Sequence, residues 1–143
     1  MTMLTRDQID ATFAAFMAKD LNAVMQMFAE DAVLIDPHYP QQRMVGKAAI
    51  ERGLTWGLGN LVKPGFSIRN VWINGDSATV EVDTNHLFKG GMVLRFDQLF
   101  VIESHNGLIT RLQAYVPYGP PGIGGLITRI TRFVWWLQGK LRN

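Results

Sequence analysis

The stretch Phe28-Ala29-Glu30-Asp31-Ala32-Val33-Leu34-Ile35-Asp36-Pro37 marks the point at which the chain changes its hydrophobic period. Before it, apolar residues recur at helical spacing; after it and one further helix, they alternate. The stretch itself ends in a short strand, Val33 to Ile35, closed by Asp36-Pro37, because proline has no N–H to offer a ladder. A second acid, Asp97 in Leu94-Arg95-Phe96-Asp97-Gln98, follows 61 residues after Asp36 in another apolar strand. Carboxylates set where a strand should face a core resist ionising, which makes such positions candidates for proton transfer. Two of them suggest a small acid–base pocket. The plainer reading has Asp36 capping a turn and Asp97 on a wet face.

Working outward toward the N-terminus, Thr5 starts a helix as N-cap, and Gln8 three residues on completes a capping box. Ile9, Phe13, Phe16 and Met17 form its apolar stripe. Asp20 restarts a second helix through Leu21, Val24, Met25 and Phe28. Beyond Pro37, a loop to Val45 holds His38 and Tyr39, and Gly46 leads into a third helix through Ile50, Leu54 and Leu58. From Phe66 the period is two, giving strands near 66–74, 77–88, 92–103 and 108–117. Asn74-Gly75-Asp76, Lys89-Gly90-Gly91 and His105-Asn106-Gly107 separate them, so consecutive strands form an antiparallel meander. The fold class is α+β: three N-terminal helices on a curved, mainly antiparallel sheet of four to six strands. Residues 1–121 form this domain and residues 122–143 a C-terminal amphipathic helical extension.

At 143 residues and 48% hydrophobic, the chain suits one domain with a real core. The absence of cysteine excludes disulfides, thiolate metal sites and thiol nucleophiles. A net charge of +2, scattered except at the C-terminus, does not indicate a nucleic-acid partner. Met1 to Asp7 contains no basic segment leading into an apolar run, and no stretch has the roughly 20 apolar residues of a transmembrane helix. A soluble cytoplasmic protein is the expectation. No His-x-His or His–Glu spacing supports a metal site, and neither a metal nor a cofactor is expected.

Turn chemistry sets the expected register. If Gly90-Gly91 is a two-residue turn, Lys89 pairs with Met92, and Asp97 faces Thr84 while Arg95 faces His86. If Asn106-Gly107 is likewise a two-residue turn, Asp97 faces Val116, Leu99 faces Ala114 and Arg95 faces Tyr118. One sheet face then carries Val82, Thr84, His86, Phe88, Arg95, Asp97, Leu99, Ala114, Val116 and Tyr118. That is an apolar floor with a few convergent polar groups, as ligand cavities have. Phe13, Phe16, His38, Tyr39 and Trp56 are the expected contributions from the helices and the loop. A one-residue slip would turn the whole set outward.

Helix, helix, strand, Asp-Pro loop, helix and meander in this order resemble the SnoaL-like, ketosteroid-isomerase-like branch of the nuclear-transport-factor-two-like superfamily over residues 5 to 118. The points of similarity are Phe28-Ala29-Glu30-Asp31-Ala32 leading to Asp36-Pro37, then Gly46-Lys47-Ala48-Ala49-Ile50, and Asn106-Gly107-Leu108-Ile109. The resemblance implies a cone in which helices close a cavity against a concave sheet. It also implies either cofactor-independent isomerase- or cyclase-like proton transfer on a small, largely apolar carbonyl compound, or a non-catalytic binding module. By this resemblance Asp36 stands at the place of the isomerase general base and Asp97 at that of its protonated acid. The family's oxyanion tyrosine falls at Thr12. Arg95 and Asp97 also match two members of an epoxide-hydrolase triad whose second acid is Ala114 here. Arg95 near Asp97 would favour its ionised form, and His86 is a further proton-handling candidate.

After Pro117-Tyr118-Gly119-Pro120-Pro121 the tail is amphipathic: Ile123, Leu126, Ile127, Ile130, Phe133, Val134, Leu137 and Leu141 against Arg129, Arg132, Lys140 and Arg142. Such a helix either docks on its own cavity mouth or on a partner subunit, or lies on a membrane surface. The opposite sheet face, with Phe96, Phe100 and Ile102, would be an exposed apolar patch and points to a homodimer through the sheet.

Overall fold

The structure, a computed structural model, describes residues 3–119 and 121–141. Thr5 caps α1 (Arg6–Met17) with the expected capping box: the Gln8 N–H donates to Thr5 Oγ1 at 3.2 Å and the Thr5 N–H donates to Gln8 Oε1 at 2.9 Å. Asp20 caps α2 (Leu21–Gln26) by accepting from the Ala23 N–H. The strand after it, β1 (Phe28–Ile35), begins five residues earlier than Val33. A register irregularity between Phe28 and Val33 lets Glu30 and Asp31 stay exposed while Phe28 and Leu34 remain buried. β2 (Arg43–Val45), α3 (Lys47–Gly59) and β3 (Leu61–Lys63) follow, then β4 (Phe66–Asn74), β5 (Ser77–Phe88), β6 (Val93–His105), β7 (Leu108–Tyr115) and α4 (Gly122–Leu137).

The sheet is mixed and seven-stranded, in the order β2-β1-β7-β6-β5-β3, with β4 also on β5. The meander is antiparallel as expected, whereas β1 joins β7 in parallel. The two short strands β2 and β3, which carry no alternation of their own, take the count past the four to six expected. β5 is long enough to pair β4 over Ser77 to Thr84 and β3 at Leu87 and Phe88. α1, α2 and α3 cover one face and bury Ile9, Phe13, Val24, Ile50 and Leu54 against Phe28, Leu34, Val80, Val82, Phe100 and Ile102. Phe13 stands edge-on to both Phe66 (5.4 Å) and Phe100 (5.3 Å).

The β5–β6 register is one residue away from the expected one. Phe88 pairs with Met92 across a three-residue turn, because Gly90 and Gly91 both take positive φ and Lys89 joins the loop. Asp97 therefore pairs with Asp83, Phe96 with Thr84 and Arg95 with Asn85. Every β6 side chain is consequently on the other face from the one expected. Arg95, Asp97 and Leu99 point away from the helices, while Phe100 and Ile102 are core residues and Phe96 faces inward. The apolar patch that pointed to a homodimer is thus turned inside. In its place the outer face carries Arg69, which bridges Asp83 (Nε to Oδ2, 2.9 Å), Asp97 (3.1 Å) and Glu81 (3.7 Å). The Arg69 guanidinium holds the exposed Asp83 carboxyl below its ordinary range.

β6 and β7 start from the expected Asn106-Gly107 turn, with His105 opposite Leu108. A bulge between Glu103 and Ser104 then shifts the pairing, so Phe100 faces Ala114 and Leu99 faces Tyr115. Docking of the tail on its own subunit is not observed: α4 buries no residue. Arg142 lies outside the described residues.

Candidate active site

A cavity of about 540 Å³ lies between the helices and the inner sheet face. Most of its wall is aliphatic or aromatic, including Phe13, Phe16, Leu54, Trp56, Phe66, Phe88, Phe96 and Phe100. The polar groups on it are few, chiefly Asp36, His38, Tyr39, His86 and Gln98.

Asp36 enters from the end of β1, where its N–H donates to the Gln42 carbonyl at 2.9 Å. The loop folds back so that the His38 backbone N–H donates to Asp36 Oδ1 at 2.9 Å, an Asx turn. The His38 ring returns to the same oxygen, Nδ1 to Oδ1 being 2.7 Å. A carboxylate there calls for a proton on Nδ1, which leaves Nε2 as the acceptor. Nε2 lies 2.9 Å from the hydroxyl of Tyr118, which donates to it. Phe96 flanks the ring, its centroid 4.9 Å from that of His38. Asp36, His38 and Tyr118 thus form one hydrogen-bonded line whose first two members line the cavity, with the exposed Tyr118 beyond the lining.

His86 on β5 is held from the opposite side. The Gly65 N–H donates to its Nδ1 at 3.0 Å, so the neutral ring carries its proton on Nε2. Burial, and secondarily the nearby His38, push its pKa down to about 4 against the pull of Asp36. His86 is therefore a neutral N–H donor at physiological pH. Burial, aided by the charge on Asp36, raises the Tyr39 pKa well above the ordinary phenol value, so Tyr39 stays protonated. Tyr39 packs on Trp56 at 5.9 Å and sits so close to Gly57 that a Cβ there would meet its hydroxyl at 2.7 Å.

Gln98 was not anticipated. It is 5% exposed, and its Nε2 lies 2.6 Å from Thr84 Oγ1. Its Oε1 is buried without a partner among the described residues. Because the Thr84 hydroxyl can donate or accept, the amide can present either its carbonyl or its NH2 to a ligand. A buried polar atom left open beside an apolar cavity is a recognition point. The signal for it lay in β6 itself. Leu94, Phe96, Gln98, Phe100 and Ile102 carry no charge, whereas the alternate set holds Arg95, Asp97 and Glu103.

Of the predicted site residues, Asp36, His86, Phe13, Phe16, His38, Tyr39, Trp56, Phe88 and Ala114 line the cavity. Val82 and Thr84 face inward as expected but are covered, Thr84 behind Gln98. Tyr118 takes part through its bond to His38, and Val116 is half-buried beyond the end of β7, outside the cavity lining. Asp97, Arg95 and Leu99 are excluded by the register, so Asp97 cannot serve as an acid opposite Asp36. Thr12 does line the cavity, but its hydroxyl is spent on the Gln8 carbonyl at 2.8 Å. Among the described residues no group of three or more histidines and acids could hold a metal ion.

The model of the SnoaL-like domain family matches residues 9–112. No curated protein matches the chain. Among solved structures, a protein from Catenulispora acidiphila with a ketosteroid isomerase-like fold, in complex with trimethylamine, is similar at TM-score 0.69 and 22% identity, covering 78% of this chain and 86% of that one. A Mycobacterium tuberculosis protein in complex with estradiol-17β-hemisuccinate is similar at TM-score 0.70 and 15% identity, with 80% and 94% covered. A Sinorhizobium meliloti protein named as a polyketide cyclase is similar at TM-score 0.65 and 23% identity, with 78% and 95% covered. At these identities the likeness is one of fold.

Proposed function

The chain belongs to the SnoaL-like domain family, and on that premise we propose that it is a cofactor-independent acid–base enzyme acting on a small, largely apolar carbonyl compound. The observation that carries this reading is the 2.7 Å contact between Asp36 Oδ1 and His38 Nδ1 on the wall of an otherwise apolar cavity. A carboxylate bound to Nδ1 fixes the imidazole tautomer and makes Nε2 the basic atom.

Substrate entering the cavity displaces the Tyr118 hydroxyl from His38 Nε2. That nitrogen then accepts a proton from the carbon next to the substrate carbonyl, and the electron pair of the C–H bond moves onto the carbonyl oxygen. The Nε2–H of neutral His86 donates to this oxygen as it gains charge, with the Gln98 amide as a second polar contact. Asp36 stabilises the imidazolium, which returns the proton to another atom of the substrate. The net change is an isomerisation, or a ring closure where the carbanion first attacks a second carbonyl. His86 thereby takes the part that the resemblance gave to Asp97 and to the residue at Thr12.

The test is solvent deuterium incorporation at the α-carbon of enones and polyketide-like ketones, followed by NMR. Asp36→Asn and His38→Gln should each slow exchange about 10²–10⁴-fold, the usual worth of a positioned base. A binding module is the second reading, favoured by the fact that Tyr118 already occupies His38 Nε2. It would be established by ketones that bind in the cavity yet exchange at the buffer rate.

A further inference from the structure

One face of the helix α4 is turned toward the connection that precedes it. Gly125, Thr128, Arg129 and Arg132 gather around Tyr118 and Gly119. Its apolar stripe of Leu126, Ile127, Ile130, Phe133, Val134 and Leu137 is left open, each side chain between 40% and 64% exposed. From Ser104 onward the sequence contains no acidic residue, so Arg129, Arg132 and Lys140 have no carboxylate on the same element.

We propose that α4 is an interfacial anchor that lays this stripe on an anionic lipid bilayer. Sixteen residues give a helix about 24 Å long, and among the described residues no helix is long and apolar enough to cross a membrane, so it lies in the plane of the interface. Its apolar arc sinks into the acyl boundary, while Arg129 at the margin of the arc and Lys140 past the end of the helix reach lipid phosphates. Trp136, stacked with Phe133 at 5.9 Å, and Trp135, with Lys140 Nζ 5.7 Å from its ring centroid, have the amphipathic rings that favour the headgroup level. A second copy of the helix is a poorer occupant. Pairing two stripes would leave the positive charges of both copies with no acid on either helix to answer them, whereas anionic headgroups supply the opposite charge.

The experiment is flotation of the full chain with vesicles of phosphatidylcholine alone and of phosphatidylcholine with phosphatidylglycerol. Tryptophan fluorescence is read on the same samples, and the mass in solution is measured beforehand. The expected result is binding to the anionic vesicles at low salt with a blue shift in emission, weakened about tenfold or more at high salt, where screening shortens the reach of the charges. Ile130→Asp with Phe133→Asp should abolish binding. Arg129→Glu with Arg132→Glu should remove the preference for anionic lipid. All four residues are exposed, so the fold should tolerate the changes, and an unaltered melting temperature would verify this. Three results would overturn the proposal: no binding to either vesicle, binding indifferent to the loss of Ile130 and Phe133, or a solution dimer dissolved by Ile130→Asp with Phe133→Asp, which would assign the stripe to a second copy.

Discussion

The main-chain N–H of Gly65 points at Nδ1 of His86 across 3.0 Å, so a residue with no side chain decides which nitrogen of a cavity histidine carries the proton. Gly65 also accepts, through its carbonyl, from the Asn85 N–H at 2.9 Å. It sits where the outer edge of β5 passes from β4 to β3, and that hand-over brings the loop close enough to reach the ring.

Gly65→Ala should expose how tight this junction is. A Cβ at Gly65 would lie 2.2 Å from the Asn85 carbonyl oxygen, which is backbone and cannot swing away. The strands must part, at a cost of about 1–3 kcal/mol as in other overpacked sites. Urea unfolding should show the loss, and the ¹⁵N resonances of His86 should report a changed tautomer balance.

Stability should fall as the solution is acidified through the window set by His86. Above about 6.5 its imidazole is neutral in both folded and unfolded chains. Between 6.5 and about 4 the unfolded chain binds a proton that the folded one refuses, so unfolding becomes easier as pH drops. Below 4 both states are charged and the loss levels off. His86→Gln, whose amide oxygen can still accept from Gly65, should flatten the curve in that window relative to the wild type. An unchanged difference between the two proteins from pH 7 to pH 4 would contradict the buried neutral ring.

Thr84→Val should cost about 1–3 kcal/mol, because it removes the partner of a buried amide that already has one open oxygen. Gln98→Leu added to it should recover much of that loss while lowering the affinity of carbonyl ligands. A thermodynamic cycle of the two single variants and the double variant measures the coupling, expected to lie at about 0.5–3 kcal/mol.

Asp97→Asn should leave ligand affinity and α-carbon exchange unchanged, while Asp36→Asn reduces exchange. Asp97 belongs to the Arg69 cluster on the outer face, where exposed ion pairs contribute about 0–1 kcal/mol. A catalytic defect in Asp97→Asn would mean that the β6 register differs in solution.

The helices, their caps and the strand order of the meander were legible in the sequence because each has a local cause, such as the Thr5–Gln8 box or the Asn106-Gly107 turn. The inward set on β5 was legible too, but that on β6 was not. Two glycines in a row read as a two-residue hairpin, and nothing local to Gly90-Gly91 says that Lys89 joins the loop. The inward placement of Ala114 came out correctly through two errors that cancel: the turn after β5 shifts the pairing by one residue, and the bulge near Ser104 shifts it again. The charge pattern along β6 carried the right answer, since Arg95, Asp97 and Glu103 fall on one side. Alternation over a long strand should outweigh turn type where the two conflict. The Asp36–His38 contact was hidden for another reason: it depends on a loop folding back over two residues, which leaves no periodic trace.

His38 Nε2, the proton acceptor of the proposed reaction, is engaged by one of the protein's own phenols. If the proposed reaction holds, Tyr118 is a tethered rival of the substrate, always present and never diluted, and the observed affinity should be the intrinsic one scaled by the fraction of time the rival stands aside. Loss of the hydroxyl in Tyr118→Phe should tighten binding without adding a contact. Tyr118 also sits on the short connection from which α4 departs, so a single hydrogen bond separates the root of that helix from His38.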